Sequence, residues 1–112
     1  MGLDIGTYNG IPGECYNKIL NATLPDSEDA FALDWITDDT GLTAEEIRMK
    51  LSTWKKTMWN GEEWYYDPDC NNNCFDYNDW QDGITLFGED LGIECSFDFV
   101  EIITSTQDFC GL

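Results

Sequence analysis

Thr43 to Trp59 reads TAEEIRMKLSTWKKTMW, and the extent of its helical pattern decides where helix gives way to sheet in this chain. Thr43 followed by Glu46 is a capping box, in which the hydroxyl accepts the N–H of the third helical residue and that residue's carboxylate accepts the N–H of the cap. Ile47, Leu51, Trp54 and Met58 then recur at i, i+4, i+7 and i+11, a stripe on a helical period. The spacing predicts an amphipathic helix from about Ala44 to Met58. Lys55 and Lys56 suit its negative end, and Asn60-Gly61 stops it.

Upstream, Gly2, Gly6, Gly10 and Gly13, with Pro12 ahead of Gly13, read as a short strand followed by a turn. Glu14 to Asn21 predicts a short helix with Cys15, Ile19 and Leu20 on its inner side. A second short helix is expected over Ser27 to Thr37. Pro25, Asp26 and Ser27 supply its turn and cap, Glu28 and Asp29 favour its first turn, and Phe31, Leu33, Trp35 and Ile36 are its apolar residues.

After Gly61 the period shortens to two. Ile84, Leu86 and Phe87 read as one short strand and Gly92 to Thr104 (GIECSFDFVEIIT) as a longer one. In the latter Ile93, Cys95, Phe97 and Phe99 face one side and Glu94, Ser96 and Asp98 the other, before Val100 and Ile102. The expected fold class is α+β: N-terminal short helices and one longer amphipathic helix (about 44–58), packed on a small antiparallel sheet from the C-terminal half. One acidic domain over 1–112 is the expectation for a chain of this length.

Between helix and sheet, Asn60 to Gly83 reads NGEEWYYDPDCNNNCFDYNDWQDG, with seven carboxylates, six aromatic rings and no Lys, Arg or His. So many rings exclude a passive linker, and Trp64, Tyr66, Phe75, Tyr77 and Trp80 are expected to be partly buried, some of them in another strand. The net charge of -18, from 23 acids against 5 bases, exceeds the magnitude of roughly 2 to 8 that suffices to keep a small domain soluble. Disorder is the reading such charge first suggests, but 42% hydrophobic residues, with 5 Trp, 5 Tyr and 6 Phe, argue for a packed interior. The charge is also polarised: all five bases lie between Lys18 and Lys56, and from Thr57 onward there are thirteen acids and no base.

That pattern points to the surface of a nucleic acid imitated in protein. B-DNA carries about one negative charge per 1.7 Å of axis, and its partners hold matching arrays of Lys and Arg. Carboxylates on alternate strand residues are about 6.6 Å apart, and at i, i+4 on a helix roughly 6 Å apart, so rigid elements can hold acids at phosphate-like intervals. The rings then have a role, because burying large side chains offsets repulsion among fixed charges. The candidate partner-binding residues are Glu62, Glu63, Asp67, Asp69, Asp76, Asp79, Asp82, Glu89, Asp90, Glu94 and Asp98. The expected partner is a basic nucleic-acid-binding protein, such as a restriction or CRISPR component targeted by a phage. Direct binding of nucleic acid is disfavoured by repulsion. An anionic surface is likewise repelled by anionic leaflets, and no stretch approaches a membrane span. The expectation is thus a monomer or small homo-oligomer in the cytoplasm, with no cofactor.

The alternative is a metal-binding structural domain. Cys70, Cys74, Cys95 and Cys110 could supply four thiolates to zinc, although the C-x2-C knuckle is missing. Asp67, Asp69 and Asn71 match the first, third and fifth positions of a calcium loop, but Asn72 stands at its glycine position and Asn78 at its closing glutamate. Cys15 and Cys95 otherwise read as small core residues. Catalysis is not expected: without histidine the usual base for Ser or Cys nucleophiles is absent. Among so many carboxylates, with Glu63 beside Trp64 the nearest to a buried acid, no glycosidase-type pair stands out.

Overall fold

The computed structural model describes residues 3–68 and 77–105, in the order β1 (Leu3–Pro12), α1 (Gly13–Ala22), α2 (Asp34–Thr40), α3 (Ala44–Leu51), β2 (Lys55–Trp59), β3 (Glu62–Tyr66), α4 (Tyr77–Leu91) and β4 (Asp98–Ser105). The four strands form one antiparallel sheet in the order β2-β3-β1-β4. The α+β class is therefore as the sequence implies, with several short helices and one longer one. The elements that fill those places differ.

The capping box forms as read: Thr43 Oγ1 accepts from Glu46 N–H at 3.2 Å, and Glu46 Oε1 accepts from Thr43 N–H at 3.1 Å. The helix it starts stops at Leu51 and does not reach Met58. Ser52 Oγ donates to the Met49 carbonyl at 2.6 Å and Thr53 Oγ1 to the Lys50 carbonyl at 2.9 Å, giving the last turn a local alternative to further helix. Trp54 remains buried, as the helical stripe demands, whereas Met58 is 65% exposed on β2. Asn60-Gly61 is no mere helix stop. With φ of 53° and 79°, both residues are left-handed, the geometry of a two-residue hairpin turn, which pairs Trp59 with Glu62.

The longest helix is α4, fifteen residues drawn from the segment read as linker and strand. Trp80, Ile84 and Phe87, at i, i+4 and i+7, are at most 1% exposed, while Thr85 between them is exposed. A four-residue run such as Ile84–Phe87 satisfies both periods, and only the buried Trp80 one turn earlier decides for helix. The turn expected to open a helix at Ser27 is present, with Ser27 Oγ accepting from Asp29 N–H at 3.1 Å. Residues 28–33 nonetheless wind through tight i to i+3 bonds, and α2 itself begins only at Asp34.

β1, expected as a short strand, is ten residues long and lies inside the sheet, so the sheet is not built from the C-terminal half alone. It pairs with β4 from Leu3↔Ser105 to Gly10↔Asp98, and with β3 only over Gly10 to Pro12. β4, expected from Gly92, begins only at Asp98, and the expected inward alternation breaks after Phe97: Phe99 is 51% exposed and Val100 is fully buried. Trp64 of β3 is buried and Tyr66 half-buried, as expected of both; the side chains of Phe75 and Tyr77 lie outside the described residues.

α1 joins the layers. Its Tyr16 ring stacks on Tyr65 of β3 at 3.7 Å between centroids, and its hydroxyl donates to the Leu51 carbonyl of α3 at 2.5 Å. Immediately before Tyr16 in the chain, Cys15 is disulfide-bonded to Cys95, which follows α4, across a sequence separation of 80. Both cysteines sit in the core, as their apolar neighbours suggest, but they are a cross-link and not free thiols. Ile11, Ile19, Ile36, Ile47, Leu51, Trp54 and Phe97 complete the same buried cluster.

Closing a loop of this length restricts the unfolded chain by about 4 to 5 kcal/mol in the chain-entropy description. The paired substitution Cys15→Ser/Cys95→Ser, or reduction under conditions that reach the bridge, is therefore expected to lower the melting temperature by more than 10 °C, as read by circular dichroism. Tyr16→Phe is expected to cost about 1 kcal/mol in urea unfolding, the typical net worth of one hydrogen bond, because the Leu51 carbonyl loses one of its two donors and keeps only Trp54 N–H. Burial first, and the neighbouring Tyr65 second, raise the Tyr16 phenol above its ordinary pKa. Its stabilising contribution is thus fully present below about pH 10 and lost as pH rises through the raised value. The wild type should lose stability more steeply in that alkaline range than Tyr16→Phe.

Candidate functional site

α2 (DWITDDT) and α4 (YNDWQDGITLFGEDL) together carry seven carboxylates and no Lys or Arg. Asp34, Asp38, Asp79, Asp82, Glu89 and Asp90 are exposed and Asp39 half-exposed. At 3.6 residues per turn, Asp79, Asp82, Glu89 and Asp90 fall within an arc of roughly 100° and spread over about 16 Å of helix axis. The buried Trp80, Ile84 and Phe87 occupy the other side. The core thus fixes which way these acids point.

The two helices are held together at Gly83. A Cβ there would lie 2.8 Å from Ile36 Cα and 3.2 Å from the Trp35 carbonyl oxygen, so only glycine lets the α2 backbone approach. Asp90, two turns beyond Gly83, shares its side of α4 and meets α2. Phe31, Asp34, Trp35, Asp38 and Asp90 line an open cleft of about 330 Å³.

Several of these acids stand where helix electrostatics disfavours them. Asp38 and Asp39 lie toward the C-terminal end of α2 and Glu89 and Asp90 in the last turns of α4, and neither last turn contains a base. An anion near a helix C-terminus is typically unfavourable by about 0.3 to 1 kcal/mol. α3 is arranged the other way, with Glu45 and Glu46 in its first turn and Arg48 and Lys50 in its last.

The other candidates divide. Glu62 and Glu63 are exposed on β3, but as adjacent strand residues they project from opposite faces of the sheet. Glu63 also lies 3.8 Å from Lys56 of the paired strand, so a cation from outside the acidic segment does relieve part of its repulsion. Asp67 is only 9% exposed and drops out of any outer surface. Glu94 is exposed in the segment folded back on α4, where Ile93 N–H donates to the Gly88 carbonyl at 2.9 Å. Asp98 is exposed at the start of β4, with its carboxylate accepting from Phe99 N–H at 2.8 Å. Asp69 and Asp76 lie outside the described residues. Among the described residues the acids therefore form no single continuous face, and α2 and α4 together carry seven of them.

The zinc set fails at Cys95, whose sulfur is bonded to Cys15, and Cys70, Cys74 and Cys110 lie outside the described residues. Of the calcium set only Asp67 is described, Asp69 and Asn71 falling outside. Among the described residues no group of three His, Cys, Asp or Glu is placed to hold a metal ion. No helix among them is long and apolar enough to cross a membrane.

Sequence reasoning passed over Asp34 and Asp38, because they lie in the half of the chain that also contains the bases. Their signal was the i, i+4 spacing of Asp34 with Asp38 beside that of Phe31 with Trp35. Comparison with protein families, with characterised proteins and with solved structures finds no match to this chain, so function is argued from geometry alone.

If the Gly83 contact holds the acidic pair together, Gly83→Ala should destabilise the protein by about 1 to 3 kcal/mol through overpacking. Ala at an uncrowded helix position would instead stabilise by roughly 0.5 to 1 kcal/mol. The sign of the change in urea midpoint decides between them.

Proposed function

We propose that this protein is a non-enzymatic inhibitor that occupies the cationic groove of a DNA-handling protein, presenting carboxylates where the groove expects phosphates. The observation that carries the reading is the α2–α4 pair: seven acids without a base, several at helix ends where they reduce stability. A surface kept at such a cost is readily understood if the charge itself is what a partner recognises. Asp79, Asp82, Glu89 and Asp90 with Asp34 and Asp38 form the central face; Glu94 extends it, and Glu62, Glu63 and Asp98 are marginal to it.

A restriction or CRISPR component fits as target, since such enzymes have grooves lined with Lys and Arg and a phage or mobile element gains from blocking them. Action in the host cytoplasm belongs to that reading. The Cys15–Cys95 bridge sets a condition on it, because disulfides persist mainly in oxidising compartments. In a reducing cytoplasm the bridge has to be protected by its burial, both sulfurs lying in the core. The protein acts as a monomer or small homo-oligomer.

The expected behaviour is competition with duplex DNA for one groove and affinity that falls steeply with added salt. Capture from the native host at low and high salt identifies the partner. Asp79→Lys/Asp82→Lys/Glu89→Lys should then weaken the complex by on the order of 100-fold while circular dichroism stays unchanged. A complex insensitive to salt, or one in which DNA and this protein bind together, overturns the proposal.

A further inference from the structure

We infer that the cleft between α2 and the end of α4 is a receptor for one arginine side chain of the basic partner, an anchor that rests on the inhibitor reading for its biological setting but on its own geometry for its chemistry. Phe31 is 59% exposed and Trp35 44% exposed, two large rings left open to solvent on the same cleft that Asp34, Asp38 and Asp90 border. A fold that buries Trp54, Trp64 and Trp80 to 8% exposure or less has room in its interior for large rings, so two that remain outside and adjacent form a surface suited to contact.

The mixture of groups selects the occupant. Exposed rings alone fit any apolar segment, but three carboxylates at the border exclude anions and place a desolvation penalty on purely apolar partners. None of the three makes a salt bridge among the described residues. A guanidinium meets both demands, since its flat face stacks on an aromatic ring and its edge offers five N–H donors in a fork that matches carboxylate oxygens. An ammonium supplies a point charge without a face to stack. A quaternary ammonium supplies a cation without donors, leaving the carboxylates unmatched. The volume of about 330 Å³ lies at the small end of the range of roughly 300 to 1,000 Å³ for ligand clefts, which suits one side chain and not an extended ligand. Arginine is also the residue that DNA-handling proteins direct at phosphates, so this anchor and the wider acidic face would engage the same groove.

The test uses the full chain labelled with 15N and titrated at constant ionic strength with N-acetyl-arginine amide, N-acetyl-lysine amide and N-acetyl-citrulline amide. The Trp35 indole N–H resonance is assigned from a Trp35→Phe variant. Arginine amide should shift it saturably in the millimolar range, with lysine amide at least threefold weaker and citrulline amide without effect. Asp34→Asn/Asp38→Asn/Asp90→Asn, which preserves shape, should weaken the arginine response by about tenfold or more with the remaining spectrum unchanged. Equal responses to arginine and lysine, a response spread over all surface acids, or none at Trp35 overturns the inference. Failure of DNA competition with an intact Trp35 response removes the groove-blocking role and leaves the arginine cleft standing; the converse removes only the cleft.

Discussion

Tyr16 is the contact on which the arrangement of layers depends. Its ring lies flat on Tyr65, which fixes α1 against the sheet, and its hydroxyl reaches the Leu51 carbonyl, which fixes the end of α3 against α1. The same carbonyl, on the last residue of α3, also accepts from Trp54 N–H at 3.1 Å, so the turn that ends that helix and the seating of α1 share one acceptor. Beside it, the Cys15–Cys95 bridge ties the same helix to the chain that leaves α4. α1, α3 and the chain that leaves α4 are thereby tied to one another, and through Tyr65 to a sheet that draws strands from both ends of the chain.

That anchoring bears on the charge. Like charges on neighbouring helix turns repel over a screening distance of about 8 Å at physiological salt, and a loosely packed α2 or α4 would relax by moving its acids apart. Here Gly83 brings the α2 backbone into direct contact with α4, while Trp80, Ile84 and Phe87 lock α4 to the core. Orientation is set by packing, and the carboxylates have no means of spreading except by side-chain rotation. The rings of the acidic segment therefore have a structural role: Trp64 and Trp80 are buried, and the acids interleaved with them are mostly outside. Outside that segment Phe31 and Trp35 are exposed and share an open cleft with Asp34, Asp38 and Asp90.

The parts legible in the sequence are those settled by adjacent residues. Thr43 and Glu46 needed only each other, and α1 followed from the spacing of Cys15 and Ile19. Misreadings arose where two local patterns were both satisfied. Trp54 continued the stripe of α3 although it lies beyond the helix, because a buried ring after a turn can occupy the position a further helical turn would have given it. Ile84 to Phe87 fitted a strand as well as a helix. Asn60-Gly61 fitted a helix stop as well as a hairpin turn, and the choice lies in the pairing of Trp59 with Glu62.

By itself, then, the sequence determined a folded α+β chain, strongly anionic, with its bases confined to one half and its rings interleaved with acids. Composition and short-range spacing suffice for these, since net charge, apolar content and capping are properties of neighbours. Only the tertiary structure decided which acids share a surface, that Cys15 and Cys95 are joined, that Asp67 is buried, and that Asp34 and Asp38 from the mixed half stand beside Asp90 from the cation-free half. The physical reason is the same in each case: the partners are far apart along the chain, and the packing of α2 on α4 and of α1 on the sheet brings them together.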